Sequence, residues 1–464
     1  METLTLAQIA AFAGGSIAAG NAETIISRVS TDSRTLQAGD LFVPLRGENF
    51  DGHKFIQQAA ERGAVGAMVE ESWSGNGPRN FSLIRVADTL AGYQRLAANY
   101  RASLPLKVIA ITGSNGKTST KDFVAATLAR KFRVTKTEGN FNNHVGLPQT
   151  MLAANREDEI AVWEIGMNHP GEIAALAKLA VPDVAIVTNV GVAHIEFMGS
   201  REAIAEEKGA LAEAVAGNGT VILNAEDAFS ESIAKRTSAK VILAGITSGS
   251  VRASDITQHS TGSEFTILEG AHRCRAQLPV PGIHMVQNAM LAVAAGRVFG
   301  LSLEECAVGL ASTPLTKARL QIREINGIKF IDDSYNANPD SMKAALRTLV
   351  ELDSDGRRVA VLGEMGELGA ESERGHRDVG EAAAALRIDE LIAVGEIGAA
   401  IAEAARKAGL KNSVAVDSPK AAAELLEGSA APGDLVLIKG SRSARMERVL
   451  EEFSKSRRAE EVAS

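Results

Sequence analysis

Residues 108–119 read VIAITGSNGKTS, an apolar run followed by a glycine-containing loop and then by Lys117 and Thr118. The run has the length and composition of a buried β-strand, and the residues after it favour a helix. Glycines in the loop let the backbone turn tightly and aim N–H groups at an anion, while Lys117 adds a cation and the Thr118 hydroxyl can hold Mg²⁺. The order of strand, loop and helix predicts a nucleotide-phosphate site, although Ile111 stands where the usual phosphate loop has its first glycine.

Composition narrows the classes of protein that this chain can represent. A chain of 464 residues is too long to fold around a single hydrophobic core, and its length suggests about three domains. Aromatic residues make up only 4% and the net charge of −8 comes from interspersed acids and bases, so no nucleic-acid partner is expected. The chain starts without a basic stretch before an apolar run and has no apolar stretch of bilayer length, so no membrane insertion is expected. Two cysteines without metal-binding spacing agree with a cytoplasmic location.

The strand and helix patterns divide the chain into three segments of an α/β protein, which we predict to be domains covering residues 1–104, 105–313 and 314–464. The first mixes short strands and turns with helices. The second alternates apolar strands with amphipathic helices, as in a parallel sheet covered on both faces, except that residues 251–280 alternate polar and apolar positions like antiparallel strands. The third, with its first strand predicted at 329–332, repeats the alternation of strands and helices that is typical of a doubly wound sheet. A site is therefore expected in the cleft between the sheets of the second and third segments.

Three polar residues of the second segment are candidates for chemistry near the loop. Glu164 follows a predicted strand and shares a sheet edge with the loop, so it is either a metal ligand or a solvated strand-end acid. His194 follows another strand of that sheet, and two alternatives remain open: a metal or phosphate contact, or an ordinary histidine with its hydrogen bonds satisfied. Lys208 lies on a predicted helix, and its spacing alone indicates an exposed lysine beside a glutamate.

The third segment adds polar residues at predicted strand ends. Residues 332–339 read DDSYNANP, in which Pro339 suits a helix start with Asn338 as its N-cap. That geometry turns Asp333 and Asn336 toward the cleft, with plain capping and turn chemistry as the alternative. Lys439 and Arg442, at the end of another strand, are candidate anion donors.

In their order along the chain, these motifs resemble the Mur ligases and their folylpolyglutamate synthetase relatives. The resemblance spans nearly the whole chain and includes residues 112–118, Glu164, Asn189, His194, Lys208, Asn288, Arg319 and Asp333. Residues 32–34, 39–43 and 51–53 resemble the two later-acting branches of the family. Residues 333–339, 363–369 and 439–442 are most similar to the branch that couples D-alanyl-D-alanine to a UDP-N-acetylmuramoyl-tripeptide, and the Asp-Asn-Pro-Arg motif of the diamino-acid-adding branch is absent.

The resemblance implies an architecture and an activity. It implies a small mixed α/β N-terminal domain for the UDP-sugar, a central P-loop parallel-sheet ATPase domain and a C-terminal Rossmann-like ligase domain. The implied enzyme is a monomer that uses ATP and Mg²⁺ to form an amide bond through an acyl phosphate, in peptidoglycan precursor synthesis. The alternatives are a family ligase that adds a different amino acid and, in another class, a nucleotide-switched interaction protein.

The resemblance also assigns roles to single residues, with Lys117, His194 and Lys208 as the catalytic ones. The ATP-binding set is Gly113, Ser114, Asn115, Gly116, Lys117, Thr118, Ser119, Asn288, Arg319 and Asp333. The metal set is Thr118, Glu164, His194 and Lys208, the last as a carbamate, and the substrate set is Ser33, Arg34, Asn142, Asn143 and Asn336. One departure is Met285, where the family often has asparagine near the adenine.

Overall fold

Three large β-sheets follow one another along the chain in the computed structural model, which describes the backbone of residues 1–463 and side chains as far as residue 455. Each predicted segment contains one of these sheets, while its exact boundaries remain a prediction. Residue 464, the end of the third segment, lies outside the described residues. Within the described part, no helix has both the length and the apolar character needed to cross a membrane.

The first segment forms a five-stranded mixed sheet in the order β2-β9-β8-β5-β4. A short 3-10 helix covers Gly52–Phe55. The elements are β1 (Leu4–Thr5), α1 (Leu6–Ala13), β2 (Ser16–Ala19), β3 (Ile25–Ile26), β4 (Arg28–Ser30), β5 (Asp40–Phe42), β6 (Arg46–Gly47), β7 (Phe50–Asp51), α2 (Ile56–Glu61), β8 (Gly66–Glu70), β9 (Ser82–Val86) and α3 (Thr89–Ala102).

The second segment forms a nine-stranded sheet in the order β11-β12-β10-β13-β14-β15-β16-β17-β18. Its elements are β10 (Lys107–Thr112), α4 (Lys117–Leu128), β11 (Val134–Lys136), α5 (Gly146–Ala153), β12 (Ile160–Glu164), α6 (Glu172–Ala180), β13 (Val184–Val187), α7 (Ile195–Met198), α8 (Arg201–Glu213), β14 (Thr220–Asn224), α9 (Ser230–Ala234), β15 (Lys240–Gly245), β16 (Val251–His259), β17 (Gly262–Glu269), β18 (His272–Leu278), α10 (Ile283–Val298) and α11 (Leu303–Ala311). The strands up to β16 pair in parallel and β16, β17 and β18 pair antiparallel, which confirms the predicted change of pattern.

Strand β10 shows why the central sheet is parallel and apolar. Its alternate residues Ile109 and Ile111 belong to a core shared with α4, α10 and the third segment. Val108 and Ala110 belong to a different core, shared with α3 and the first segment. A strand buried on both faces must be apolar at successive positions, because successive side chains point to opposite faces. The central sheet therefore holds the glycine loop between the two outer parts of the molecule.

The third segment forms a six-stranded sheet in the order β19-β20-β24-β21-β22-β23, parallel except for β19. Its elements are β19 (Gln321–Ile325), β20 (Ile328–Asp333), α12 (Pro339–Glu351), β21 (Arg358–Gly363), α13 (Ser372–Ala385), β22 (Glu390–Val394), α14 (Ala399–Lys407), β23 (Ser413–Val416), α15 (Pro419–Ser429), β24 (Leu435–Lys439) and α16 (Glu447–Ala463), with a 3-10 helix at Gly369–Glu371. Helix α12 begins at Pro339 with the predicted Asn338 cap.

The strand predicted at 329–332 is confirmed as β20, but it is not the first strand of the segment, because β19 precedes it as an antiparallel edge strand. The turn between β19 and β20 is Asn326-Gly327, with φ of 52° and 77°. Positive φ at both central residues is the geometry that Asn-Gly supplies in tight hairpins. An Asn-Gly dipeptide between two apolar residues indicates a β-hairpin, and the coarse reading of strands and helices missed it.

Candidate active site

The loop after β10 is braced by the segment that follows β13. The Ser114 N–H donates to the Asn189 carbonyl and the Asn115 N–H to the Asn189 side-chain oxygen, both at 2.9 Å. The Thr188 hydroxyl donates to the Asn115 carbonyl at 2.6 Å. These contacts occupy two N–H groups that the sequence suggested for phosphate. The donors left for an anion are those of the first turn of α4, which an α-helix leaves without carbonyl partners.

Two loop glycines are required by the shape of the site. Gly113 and Gly116 have φ of 151° and 78°, which side chains rarely adopt. A Cβ at Gly113 would lie 1.8 Å from Thr188 Oγ1, and one at Gly116 would lie 2.4 Å from Asn288 Nδ2. Asn288, on α10, is therefore packed directly against the loop, and its role at the nucleotide, implied by the resemblance, stays a prediction.

Lys117 lies across the loop at the start of α4. Its Nζ donates to the Gly113 carbonyl at 2.8 Å. Burial lowers the pKa of Lys117 from its ordinary value, and the attraction of Glu164 offsets this only in part, while Arg319 lowers the pKa further. Negative charge arriving beside Lys117 would favour the ammonium form. The site is thus arranged to hold an anion.

Four predicted site residues from distant parts of the chain meet beside the loop. Glu164, only 3% exposed, accepts hydrogen bonds from the Thr118 hydroxyl at 2.9 Å and from Asn142 Nδ2 at 2.7 Å. Arg319 reaches Thr118 Oγ1 at 3.3 Å and stacks on Tyr335, 4.2 Å from the ring centre. The alternative of a solvated strand-end acid is wrong for Glu164. Carboxylate and hydroxyl oxygens are ligands suited to Mg²⁺.

The burial of Lys208 is the largest departure from what the spacing of the sequence indicated. It is 1% exposed on α8, so the expectation of an exposed, glutamate-paired lysine was wrong. Its neighbour Glu207 instead accepts from the N–H groups of Gly171 and Ile173, both at 2.7 Å. Burial, followed by the nearby charge of Lys117, places the pKa of Lys208 well below its ordinary value. A lowered pKa favours the neutral amine form of the Lys208 side chain.

His194 is paired across the cleft with a residue that the sequence did not single out. It adopts the left-handed conformation, with φ of 63°, and its Nδ1 lies 2.5 Å from Glu367 Oε2 in the third segment. This proximity to His194 is the main reason that the pKa of Glu367 lies below its ordinary value. The only prior signal was that Glu367 lies in the glycine-rich run after β21. Among the described residues, no cluster of three or more His, Cys, Asp or Glu side chains converges as a metal centre.

Asp333 ends β20 and is held from two sides. Its Oδ1 accepts from the Leu320 N–H at 3.2 Å, and its Oδ2 pairs with Lys439 Nζ. Lys439 also donates to the Asn336 carbonyl at 3.0 Å. Lys439 is therefore a buried partner of Asp333 and not the free anion donor suggested by the sequence. Its neighbour Arg442 pairs with Glu447.

The N-terminus of α12 contacts the loop region of the central sheet. Asn338 Nδ2 donates to Asn115 Oδ1 at 2.8 Å, and Asp340 Oδ2 accepts from the Val192 N–H at 3.1 Å. Neither contact was foreseen, because the sequence explained Asn338 fully as a helix cap and gave no role to Asp340. The third segment is thus docked against the nucleotide loop in this structure.

The docking contact leads to a testable expectation for Gly191→Ala. A Cβ at Gly191 would lie 2.4 Å from Asp340 Oδ2, whereas its φ is not positive, so the clash arises from the docked third segment. Relieving the clash moves the Asp340 carboxylate away from the Val192 N–H, and the loss of such a hydrogen bond costs about 1 kcal/mol. We expect a lower ligation rate and a more open solution-scattering profile, with an unchanged melting temperature.

Two further variants check that expectation. Gly428→Ala adds a methyl group where no atom lies within 4 Å, so it should behave like the wild type. Asp340→Ala in the Gly191→Ala background removes the clashing oxygen and should recover part of the rate. A Gly191→Ala enzyme with wild-type rate and scattering would contradict the docking contact.

The remaining predicted substrate residues have local contacts. Ser33 Oγ donates to Gln58 at 3.3 Å and Arg34 pairs with Asp32 at 2.8 Å, just beyond β4. Asn143 Oδ1 accepts from the N–H groups at the start of α5, at 3.1 and 2.8 Å. In the described part of the chain, no hydrogen bond or ion pair joins Ser33 or Arg34 to the glycine loop. Their assignment to substrate stays a prediction.

The fold and the site define the class of protein as a three-sheet protein with a P-loop-like nucleotide site. The description "Mur ligase middle domain" matches residues 111–296, "Mur ligase, glutamate ligase domain" matches residues 318–442, and "Mur ligase family, catalytic domain" matches residues 25–78. The chain belongs to the Mur ligase family, whose enzymes form C–N bonds with ATP.

Within the family, the chain is similar to one kind of enzyme. It is 40% identical to the UDP-N-acetylmuramoyl-tripeptide–D-alanyl-D-alanine ligase of Bacillus subtilis, over 97% of this chain and 98% of that protein. The crystal structure of MurF from Acinetobacter baumannii superimposes with a TM-score of 0.90 at 33% identity, covering 98% and 99% of the two chains. The MurF ligase of Thermotoga maritima in complex with ADP has a TM-score of 0.82 at 29% identity, covering 92% and 97%.

Proposed function

We propose that this chain joins D-alanyl-D-alanine to a UDP-N-acetylmuramoyl-tripeptide, consuming ATP, in the cytoplasmic synthesis of peptidoglycan precursors. The observation that carries the proposal is the full-length similarity to ligases of that name together with a third segment docked on an intact glycine loop. The enzyme acts as a monomer with these two substrates and no nucleic-acid partner. The diamino acid at the third peptide position lies outside the proposal.

The chemistry proceeds in two steps with an acyl phosphate between them. A carboxylate resists attack by an amine, because its charge is spread over the group. Its oxygen attacks the terminal phosphorus of ATP, so an O–P bond forms, the bond to the bridging oxygen breaks and ADP leaves. The amine nitrogen of D-alanyl-D-alanine then attacks the carbonyl carbon. The C–N bond forms, the amine loses a proton and phosphate leaves.

The residues near the loop meet the needs of both steps. Negative charge gathers on the transferred phosphoryl group, and preplaced cations stabilise it most when water is excluded. Lys117 and the first turn of α4 supply that positive field, and Arg319 and Asn288 flank the nucleotide. Asp333 holds it from the third segment. Docking of that segment excludes the water that would hydrolyse the acyl phosphate.

Mg²⁺ fits the oxygen donors Thr118 and Glu164, which lie 2.9 Å apart in a buried position. When bound there, Mg²⁺ neutralises triphosphate charge. Lys208 joins the metal-facing residues as a carbamate. Its neutral amine nitrogen attacks carbon dioxide, an N–C bond forms and a proton leaves, so a cation is replaced by an anion. His194 completes the set, and its pairing with Glu367 orients the ring.

Substrate recognition is assigned to both outer segments. Ser33 and Arg34 bind the UDP-sugar, Asn142 and Asn143 contact the muramoyl-peptide, and Asn336 faces the cleft from the third segment. Asn142 already touches Glu164 at 2.7 Å, which brings the peptide end close to the phosphoryl group. This arrangement couples the peptide carboxylate to ATP.

Phosphate release from ATP tests the proposal directly. With UDP-N-acetylmuramoyl-tripeptide present, we expect release to depend on D-alanyl-D-alanine and to match amide product mole for mole. Other amino acids and dipeptides, offered in turn, test for a ligase with a different acceptor. ATP hydrolysis that ignores both substrates and forms no amide would favour the nucleotide-switched interaction protein instead.

A further inference from the structure

A buried carboxylate on α4, outside the proposed catalytic set, joins the central sheet to the connection between the second and third segments. Asp122 is 2% exposed. Its Oδ1 accepts from Lys121 Nζ at 3.0 Å and from Lys136 Nζ at 2.7 Å. Its Oδ2 accepts from both the N–H and the hydroxyl of Thr316, at 3.1 and 2.7 Å. One carboxylate therefore holds a lysine of its own helix, a lysine of β11 and one residue of the connection.

Charge keeps this carboxylate ionised. Burial by itself raises the pKa of Asp122, but Lys121, Lys136 and Thr316 outweigh burial, and the pKa lies below its ordinary value. Hydrogen bonds to an ionised acceptor are stronger than those between neutral groups. The two bonds to Thr316 are therefore strong anchors for the chain that follows.

The anchored connection carries Arg319 in an unusual backbone conformation. Ala318 and Leu320, on either side of Arg319, have φ of 58° and 51°. Non-glycine residues hold left-handed conformations only where their surroundings fix them. Here Asp122 fixes the connection at Thr316, and Asp333 Oδ1 fixes it at the Leu320 N–H. Between the two anchors, the Arg319 side chain lies on Tyr335 and reaches Thr118.

We propose that Asp122 is a positioning residue, which holds Thr316 so that Arg319 is presented to Thr118 and the nucleotide phosphates. The inference rests on the proposed function, because it assigns Arg319 to ATP. It differs from a purely structural role for Asp122, which would only neutralise Lys121 on α4 and Lys136 on β11. Only the positioning role requires Thr316, and only that role couples Asp122 to Arg319.

Thr316→Val is the sharpest test, because it removes the hydroxyl donor and leaves the lysine partners of Asp122 in place. We expect kcat/KM for ATP, and the affinity for a non-hydrolysable ATP analogue with Mg²⁺ measured by calorimetry, to fall about tenfold. Thr316→Ser keeps the hydroxyl and should retain the wild-type kcat/KM and the wild-type affinity for the analogue. Asp122→Asn, which keeps the shape and removes the charge, should act in the same direction as Thr316→Val.

Thr127→Val is the matched control. Thr127 is a buried threonine on α4, the helix that carries Asp122. Its hydroxyl has no hydrogen-bond partner among the described residues. It should bind the analogue like the wild type. Melting temperatures recorded for all variants separate a local shift of Arg319 from a loss of folding.

A double-mutant cycle with Arg319→Ala decides between positioning and structure. If Asp122 acts through Arg319, Thr316→Val causes no further loss of analogue affinity in the Arg319→Ala background. A fully additive loss, or wild-type affinity in Thr316→Val, overturns the inference. The double-mutant cycle measures analogue affinity and does not depend on ligation. A wild-type chain that binds the analogue but forms no amide product would therefore contradict the proposed function alone. A wild-type chain that binds no analogue overturns both.

Discussion

Lys117→Ala is expected to lower the turnover number for ligation by about 100- to 1,000-fold or more, the range for losing a preplaced charge-stabilising group. Lys117 is the cation nearest the loop, with its Nζ folded onto the Gly113 carbonyl. Without it, the charge that develops on the transferred phosphoryl group loses the cation held inside the loop itself, and Arg319 approaches from the side of Thr118 only. Steady-state phosphate release, with both substrates saturating, measures the effect.

A matched lysine separates the loss of this cation from a general loss of charge. Lys178, on α6, is exposed, so Lys178→Ala should ligate like the wild type. Lys117→Ala should keep a wild-type melting temperature or exceed it, because its partly desolvated ammonium group disfavours folding when no anion is bound. Near-normal ligation by Lys117→Ala would refute its role at the phosphates.

Lys208→Arg is expected to be nearly inactive, with a loss of about 100-fold or more. Arginine is also a long basic side chain, but a guanidinium cannot form a carbamate. Lys208 is suited to that reaction because burial and the nearby charge of Lys117 lower its pKa, which favours the nucleophilic neutral amine. The loss of ligation activity should therefore come from the missing negative charge of the carbamate beside the metal. Ligation assays measure this loss.

Bicarbonate distinguishes the carbamate from a packing role of Lys208. Wild-type activity should fall in buffer depleted of carbon dioxide and recover when bicarbonate is added, whereas Lys208→Arg should not respond. Lys178→Arg, at an exposed position, serves as the control substitution and should match the wild type. Full activity of Lys208→Arg, or a wild type indifferent to bicarbonate, would mean that Lys208 only packs in the core.

Local patterns predicted much of the fold, because each depends on neighbours in sequence. The apolar run before the glycine loop is buried on both faces as β10, and Asn338-Pro339 caps α12 as the sequence indicated. The missed β19 also had a local signal, the Asn326-Gly327 turn. Patterns of this kind operate over a few residues, so backbone propensity and side-chain periodicity suffice to read them.

Long-range pairing was beyond the sequence alone. Asp340 and Asp122 make their contacts with residues far along the chain, and nothing in their immediate neighbours marks them. Glu367 lies in a glycine-rich run at a strand end, but that run does not predict its pairing with His194. Lys208 was misjudged from spacing for the same reason, since its burial depends on how α8 packs on the central sheet. Only the resemblance of ordered motifs gave it a role before the structure placed it.

The sequence by itself determined the elements, the glycine loop and the family to which the chain belongs, because these follow from residue order and local backbone preference. The tertiary structure decided which carboxylates are buried, which lysines are desolvated and how the third segment meets the loop. Those properties are set by distance and solvent exclusion, which arise only when separate segments pack together.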